Sequence, residues 1–168
     1  PNPVNVYGRT KLAGEEQALL HAPRHFIVRT AWLFGAHGSN FVRAVLRQAR
    51  EKGFVKAVAD QTGSPTYAAD LADALEKLTQ TEKYGIYHIV NSGACTRYEL
   101  AAAALELSGI PAELRPCASG EFPGAAPRPC CSALDAAAWR AAGFAPLPGW
   151  RDALARYLGE IGELRTGR

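Results

Sequence analysis

The chain of 168 residues contains no methionine, which fits a piece of a longer chain. No apolar run in it approaches the roughly 18 residues needed to cross a bilayer, and no segment has the make-up of a signal peptide. A cytoplasmic protein that does not enter the membrane is therefore expected. Charge of one sign is not in excess. The 19 Lys and Arg against 16 Asp and Glu leave +3, spread along the chain, and no basic cluster of the kind a nucleic-acid partner needs. Arg43, Arg47 and Arg50 do share one helix face, but a solvated outer face explains them. Of the four cysteines, Cys95, Cys117, Cys130 and Cys131, none form a C-x-x-C pair or stand with paired histidines. No metal site is expected, and neighbouring cysteines rarely bridge each other, so four reduced thiols are. The chain also lacks the Gly-x-Gly-x-x-Gly turn that receives a dinucleotide pyrophosphate. Its nearest candidate, Gly35-Ala36-His37-Gly38, has phenylalanine at 41 and no acidic ribose ligand at the right distance. That loop reads as substrate-side.

What is present starts with the first dozen residues. Tyr7 and Lys11 stand four apart, so on a helix they share a face one turn apart. A phenol titrates near about pH 10, and an ammonium group held close favours its ionised form. A tyrosine so biased can pass a proton to a carbonyl oxygen while hydride arrives at the carbonyl carbon. The bare spacing is a weak motif, and its surroundings have to decide.

The surroundings are Asn5-Val6-Tyr7-Gly8-Arg9-Thr10-Lys11-Leu12-Ala13-Gly14-Glu15, preceded by Pro1-Asn2-Pro3-Val4. Further on come Arg29-Thr30-Ala31-Trp32-Leu33-Phe34-Gly35, Asn40-Phe41-Val42 and Asp60-Gln61-Thr62-Gly63-Ser64-Pro65-Thr66, then Arg128-Pro129 before Ser132-Ala133-Leu134-Asp135. Together these resemble the extended short-chain dehydrogenases/reductases and, more narrowly, the dTDP-4-dehydrorhamnose reductases. The resemblance covers essentially the whole chain. It implies an α/β fold: the C-terminal part of an NAD(P)-binding Rossmann-like fold with a smaller substrate-binding α/β domain. Residues 1–35 would close the Rossmann-like part, 36–168 would be mainly the nucleotide-sugar domain, and 85–91 would return as a strand of the Rossmann sheet.

The activity implied is NADPH-dependent reduction, with NADH tolerated, of the 4-keto group of a dTDP-linked deoxysugar to give dTDP-L-rhamnose. Tyr7 would be the proton donor, and Lys11 would assist it and hold the nicotinamide ribose, with Thr30 also on the cofactor side. Trp32, Asn40, Gln61 and Arg128 would face the dTDP-sugar, Trp32 by stacking and Arg128 as a guanidinium fork on the diphosphate. The family's third catalytic hydroxyl residue and most of the cofactor site are absent, so this portion is expected to be inactive alone and to self-associate or form a homodimer. Two other readings use the same residues. One is a nucleotide-sugar epimerase or dehydratase. The other is a non-catalytic subunit like the regulatory subunit of methionine adenosyltransferase.

Periodicity and breakers place the elements. A helix is expected from Tyr7 to about Leu20, with Leu12, Ala13, Glu16, Leu19 and Leu20 on its apolar stripe, and one strand through Phe26–Phe34. Ser39 or Asn40 caps the next helix, which Gly53 ends, and a short strand follows at Val55–Ala59. A helix over Ala69–Leu78 precedes the Gly85–Asn91 β run, in which His88 is expected to be a hydrogen-bonded structural histidine. Thr96-Arg97-Tyr98-Glu99 is a capping box opening a helix that stops at Gly109. A strand at Ala112–Cys117, a proline-rich loop over 118–130, a helix from Ser132 to Gly143 and a last helix from Trp150 to Ile161 complete the reading.

Overall fold

The computed structural model describes residues 1–121 and 126–165. Pro123, one of the loop prolines, lies outside the described residues. In chain order the elements are α1 (Val6–His21), β1 (Phe26–Arg29), β2 (Leu33–Phe34), α2 (Phe41–Lys52), β3 (Phe54–Val58), β4 (Thr62–Gly63) and β5 (Thr66–Tyr67). Then follow α3 (Ala68–Thr79), β6 (Gly85–His88), β7 (Asn91–Ser92), β8 (Cys95–Thr96), α4 (Arg97–Ser108) and β9 (Glu113–Cys117). The last are β10 (Cys131–Ser132), α5 (Ala137–Ala141), β11 (Leu147–Gly149) and α6 (Trp150–Glu160).

Three of the helices, α1, α2 and α4, start where a side chain satisfies an open backbone N–H. Asn40 Oδ1 accepts from the Arg43 N–H at 3.0 Å, and Gly53 closes α2 at φ 70°, a conformation that favours glycine. Thr96 and Glu99 form a complete capping box on α4. Val42, Val45, Leu46 and Ala49 bury one face of α2, at the spacing a half-buried helix needs.

Strand pairing is mostly parallel, as βαβ connections require. β1 runs beside β6 with Ile27 opposite Ile86, and β3 beside β9 with Val55 opposite Leu114. β2 with β5, β4 with β10 and β7 with β11 are also parallel, while β4 and β8 are antiparallel. The buried apolar residues form two clusters. One joins α2, α4 and α6 to Phe34, Val55 and Tyr67. The other sits on the β1–β6 pair and is covered by α3 and α5, with Leu71, Leu78, Tyr87, Ile89 and Trp139.

Three element expectations need correction. The strand expected through Phe26–Phe34 is broken: β1 pairs with β6, β2 with β5, and the chain changes partner at Trp32. The β run 85–91 likewise divides at Ile89–Val90, because Asn91 turns to pair with β11. The helix expected from Ser132 begins only at Ala137, because Ser132 is held in β10, its Oγ donating to Thr62 O. The apolar stripe of α1 also differs. Gly8, Leu12, Glu15 and Ala18 are half-buried, whereas Leu19 and Leu20 lie on the exposed side. The reason is an ion pair: Arg29 on β1 donates from Nε to Glu15 Oε1 at 2.8 Å and turns that face inward. Burial opposes that charge, but the Arg29 hydrogen bond is the larger effect and holds the Glu15 carboxyl below its ordinary value.

Candidate active site

Asn5 begins the site. Its Oδ1 accepts from the Gly8 N–H at 2.8 Å and caps α1, which sets Tyr7 and Lys11 one turn apart. Lys11 Nζ lies 5.4 Å from the centroid of the Tyr7 ring, on an outward face where Tyr7 is 71% exposed. The other end of Asn5 reaches a distant loop, Nδ2 donating to Pro127 O at 2.8 Å. One side chain thus ties the helix of the Tyr–Lys pair to the residue next to Arg128.

A cleft of ≈ 700 Å³ opens by that loop, within the range of small-molecule sites. Phe41, Lys56, Gln61, Arg97, Ser119 and Arg128 are among the residues that line it. Its carboxylate neighbours are already engaged. Glu121 takes Lys56 Nζ at 2.6 Å and Asp60 takes the Ser119 N–H at 3.0 Å, while Glu99 is spent on the α4 cap. Arg97 and Arg128 have no carboxylate partner among the described residues. Burial, and then the Arg128 charge, push the Arg97 guanidinium down to about 10.

Trp32 sits behind this cleft in a strained backbone. Its φ of 45° is the one positive value among the described non-glycine residues. The indole is held on two sides. The Arg97 guanidinium stacks 3.7 Å from a ring centroid, and Gly63 backs the ring so closely that a Cβ there would fall 2.3 Å from Cε2. Both surfaces that a sugar would stack on are therefore taken, and Trp32 serves as a mount. Gly63→Ala is expected to expel the indole and destabilise the chain by about 1–3 kcal/mol through overpacking. A urea denaturation midpoint unchanged from wild type would contradict this.

The residues anticipated from sequence separate in space. Gln61 and Arg128 line the large cleft, and Lys11 lines a smaller hollow with Pro3, Gly8 and Arg29. Asn40 borders a third, beside Arg43 and Arg47, and its Nδ2 donates to Gly35 O and Tyr157 Oη, at 3.1 and 3.0 Å. Asn40 thus has a structural role as well as the cap. Thr30 is exposed at the end of β1. At the 35–38 loop Asn40 caps the start of α2 and the Arg43 side chain donates to Ala36 O at 2.6 Å. His88 is hydrogen-bonded through Nδ1 to Asp135 O at 3.0 Å, and all four cysteines are free. In the sequence Arg97 is marked only as the first residue after the Thr96 cap. Its signal lies in the rings of Trp32 and Phe41 beneath it.

Residues 1–162 match the family described as the RmlD substrate binding domain. The chain belongs to that family. The RmlD-type chain is 44% identical over 155 residues to a dTDP-4-dehydrorhamnose reductase of Mycolicibacterium smegmatis, covering 90% of this chain and 47% of the relative. It is 42% identical to the spore coat polysaccharide biosynthesis protein SpsK of Bacillus subtilis, over 95% of this chain and 56% of that one. Among solved structures, a dTDP-4-dehydrorhamnose reductase from Bacillus anthracis in complex with NADP superposes with a TM-score of 0.93. It is 39% identical, with 95% of this chain covered and 57% of that one. A UDP-glucuronic acid 4-epimerase from Bacillus cereus, at 19% identity and TM-score 0.78, shares the fold alone. The RmlD-type chain spans about half the length of the relatives it matches.

Proposed function

We propose that the protein of which this chain is part reduces the 4-keto group of dTDP-4-dehydro-L-rhamnose to dTDP-L-rhamnose, with NADPH preferred and NADH tolerated. The observation that carries the reading is the Asn5 bridge. It links the Tyr7–Lys11 face to a cationic cleft suited to a nucleoside diphosphate. The chemistry of the donors fits the cofactor's sugar end: an exposed phenol and a neighbouring ammonium can hydrogen-bond ribose hydroxyls. NADPH supplies hydride to the carbonyl carbon. Tyr7 donates its proton to the C4 oxygen, Lys11 holds the ribose hydroxyls, and Thr30 borders the same side.

Arg128 and Gln61 hold the dTDP-sugar in the cleft, with Trp32 behind its wall and Asn40 at the start of α2 on the substrate side. In this reading residues 1–35 and 85–91 belong with a dinucleotide-binding sheet and the remainder of 36–168 with the sugar nucleotide. The enzyme would work in the cytoplasm, and no helix of the described residues is long and apolar enough to cross a membrane. Turnover of dTDP-4-dehydro-L-rhamnose by the product of the complete reading frame tests the proposal. NADPH oxidation dependent on that sugar supports it, and none at millimolar substrate refutes it.

The chain taken alone should self-associate. α1 buries no residue, and Val4 just before it and Val6 and Leu20 on it are 54, 64 and 71% exposed. Such an apolar surface favours a covering partner. Sedimentation is expected to show a dimer or larger species, and a monomer at 100 μM-scale concentration (roughly that at which weak contacts of this kind assemble) would contradict it.

A further inference from the structure

Arg97 combines three observations. Its guanidinium lies flat on Trp32 at 3.7 Å and within 5.0 Å of the Phe41 ring centroid. It is half-buried in the wall of the ≈ 700 Å³ cleft and has no acidic partner among the described residues. A second arginine, Arg128, lines the same cleft and raises the local positive potential. Two like charges converging on a part-buried surface cost free energy unless something negative joins them.

The nearby carboxylates do not supply that charge. Lys56 takes Glu121, and Asp60 and Glu99 are turned to backbone N–H groups of Ser119 and Thr96. Stacking fixes the plane of the Arg97 fork and leaves its N–H edge free for paired acceptor oxygens. The strained Trp32 backbone and the contact with Gly63 hold that platform still.

We infer that Arg97, mounted on Trp32 and Phe41, is the second cation of a two-arginine clamp with Arg128 that binds the diphosphate of a nucleoside-diphosphate ligand. Trp32 then acts as a positioning residue through Arg97 and does not itself stack on the sugar. This rests on the proposed sugar-nucleotide reading and adds to it a discriminating residue. The clamp recognises two linked phosphates, so it separates a nucleoside diphosphate from its monophosphate.

Calorimetric titration of the chain with dTDP, dTMP and inorganic pyrophosphate tests it, in wild type, Arg97→Met and Arg97→Lys. Wild type is expected to prefer dTDP to dTMP. Arg97→Met should lower dTDP affinity by roughly 10–100-fold, the usual range for losing a charge-assisted hydrogen-bonded contact, and should erase the preference. Arg97→Lys keeps stem and charge, so the fold is retained, but it lacks the flat fork and should restore only part of the loss. Because the readout is a ratio of two ligands on one sample, a partly unfolded fraction does not imitate it.

An unchanged dTDP-to-dTMP ratio in both variants overturns the clamp while leaving the proposed reductase intact. Arg97-dependent pyrophosphate binding with no gain from the thymidine moiety upholds the clamp and removes the dTDP-sugar reading. Wild type that binds none of the three refutes the clamp.

Discussion

Tyr7→Phe in the complete protein is expected to lower kcat by roughly 10²–10⁴-fold while changing KM little. The substitution keeps the ring beside which Lys11 lies and removes only the hydroxyl. Its ring is exposed and no core packing depends on it, so a loss of activity cannot be assigned to unfolding. The loss should fall on kcat because the proton moves only as the C4 oxygen gains charge. Steady-state kinetics with saturating NADPH measure this. Turnover near that of wild type would take Tyr7 out of the mechanism and leave the non-catalytic, partner-binding reading standing.

Asp70→Ala is expected to destabilise the chain by about 2–4 kcal/mol by urea denaturation. Asp70 on α3 is 9% exposed and receives both Arg156 guanidinium nitrogens at 2.7 Å, with Asn91 Nδ2 at 2.6 Å. Asn91 in turn accepts from the Tyr67 N–H at 2.8 Å and donates to Pro148 O at 3.0 Å. These contacts join α3, β5, β7, α6 and the β11 segment, and so tie the two apolar clusters together. Removing one partner of a fully buried pair costs about 3–5 kcal/mol. The lower figure here reflects Arg156, whose side chain is 41% exposed and partly screened by water.

The same site sets a pH dependence. Burial would raise the Asp70 pKa, but the hydrogen bonds from Arg156 and Asn91 outweigh it and leave the carboxyl below its ordinary value. A group lowered on folding stabilises above its unfolded pKa, near about 4, and that contribution is lost as pH falls through the folded value. The stability gap between wild type and Asp70→Asn should therefore be constant from neutral pH to about 5 and narrow below about 4. A gap independent of pH down to the acid limit would show that the ion pair adds nothing.

The helix ends were legible without a structure, because a cap is satisfied within a few residues. Asn40 before α2, Gly53 after it, and the Thr96–Glu99 box each answer to orphan N–H or C=O groups close in the chain. The face shared by Tyr7 and Lys11 is equally local, a consequence of helical pitch, and the wording around it carried the family. Strand pairing is not local. Phe26–Phe34 reads as one apolar run, yet its halves hydrogen-bond to segments far along the chain, and the change of partner forces Trp32 to positive φ.

By itself the sequence determined the α/β class, the capped ends of α2 and α4, the Tyr7–Lys11 pair and the kinship of the chain, all of which depend on neighbours within a turn or on direct likeness. Only the tertiary structure decided which residues meet in the cleft. Arg97 comes to rest on Trp32, Gly63 closes the other side of that ring, and Asn5 reaches Pro127 because loops distant in sequence are brought together by the two cores. A stacked cation and a shared hydrogen bond have no period to read. They exist only when burial has removed the water that would otherwise satisfy each group separately.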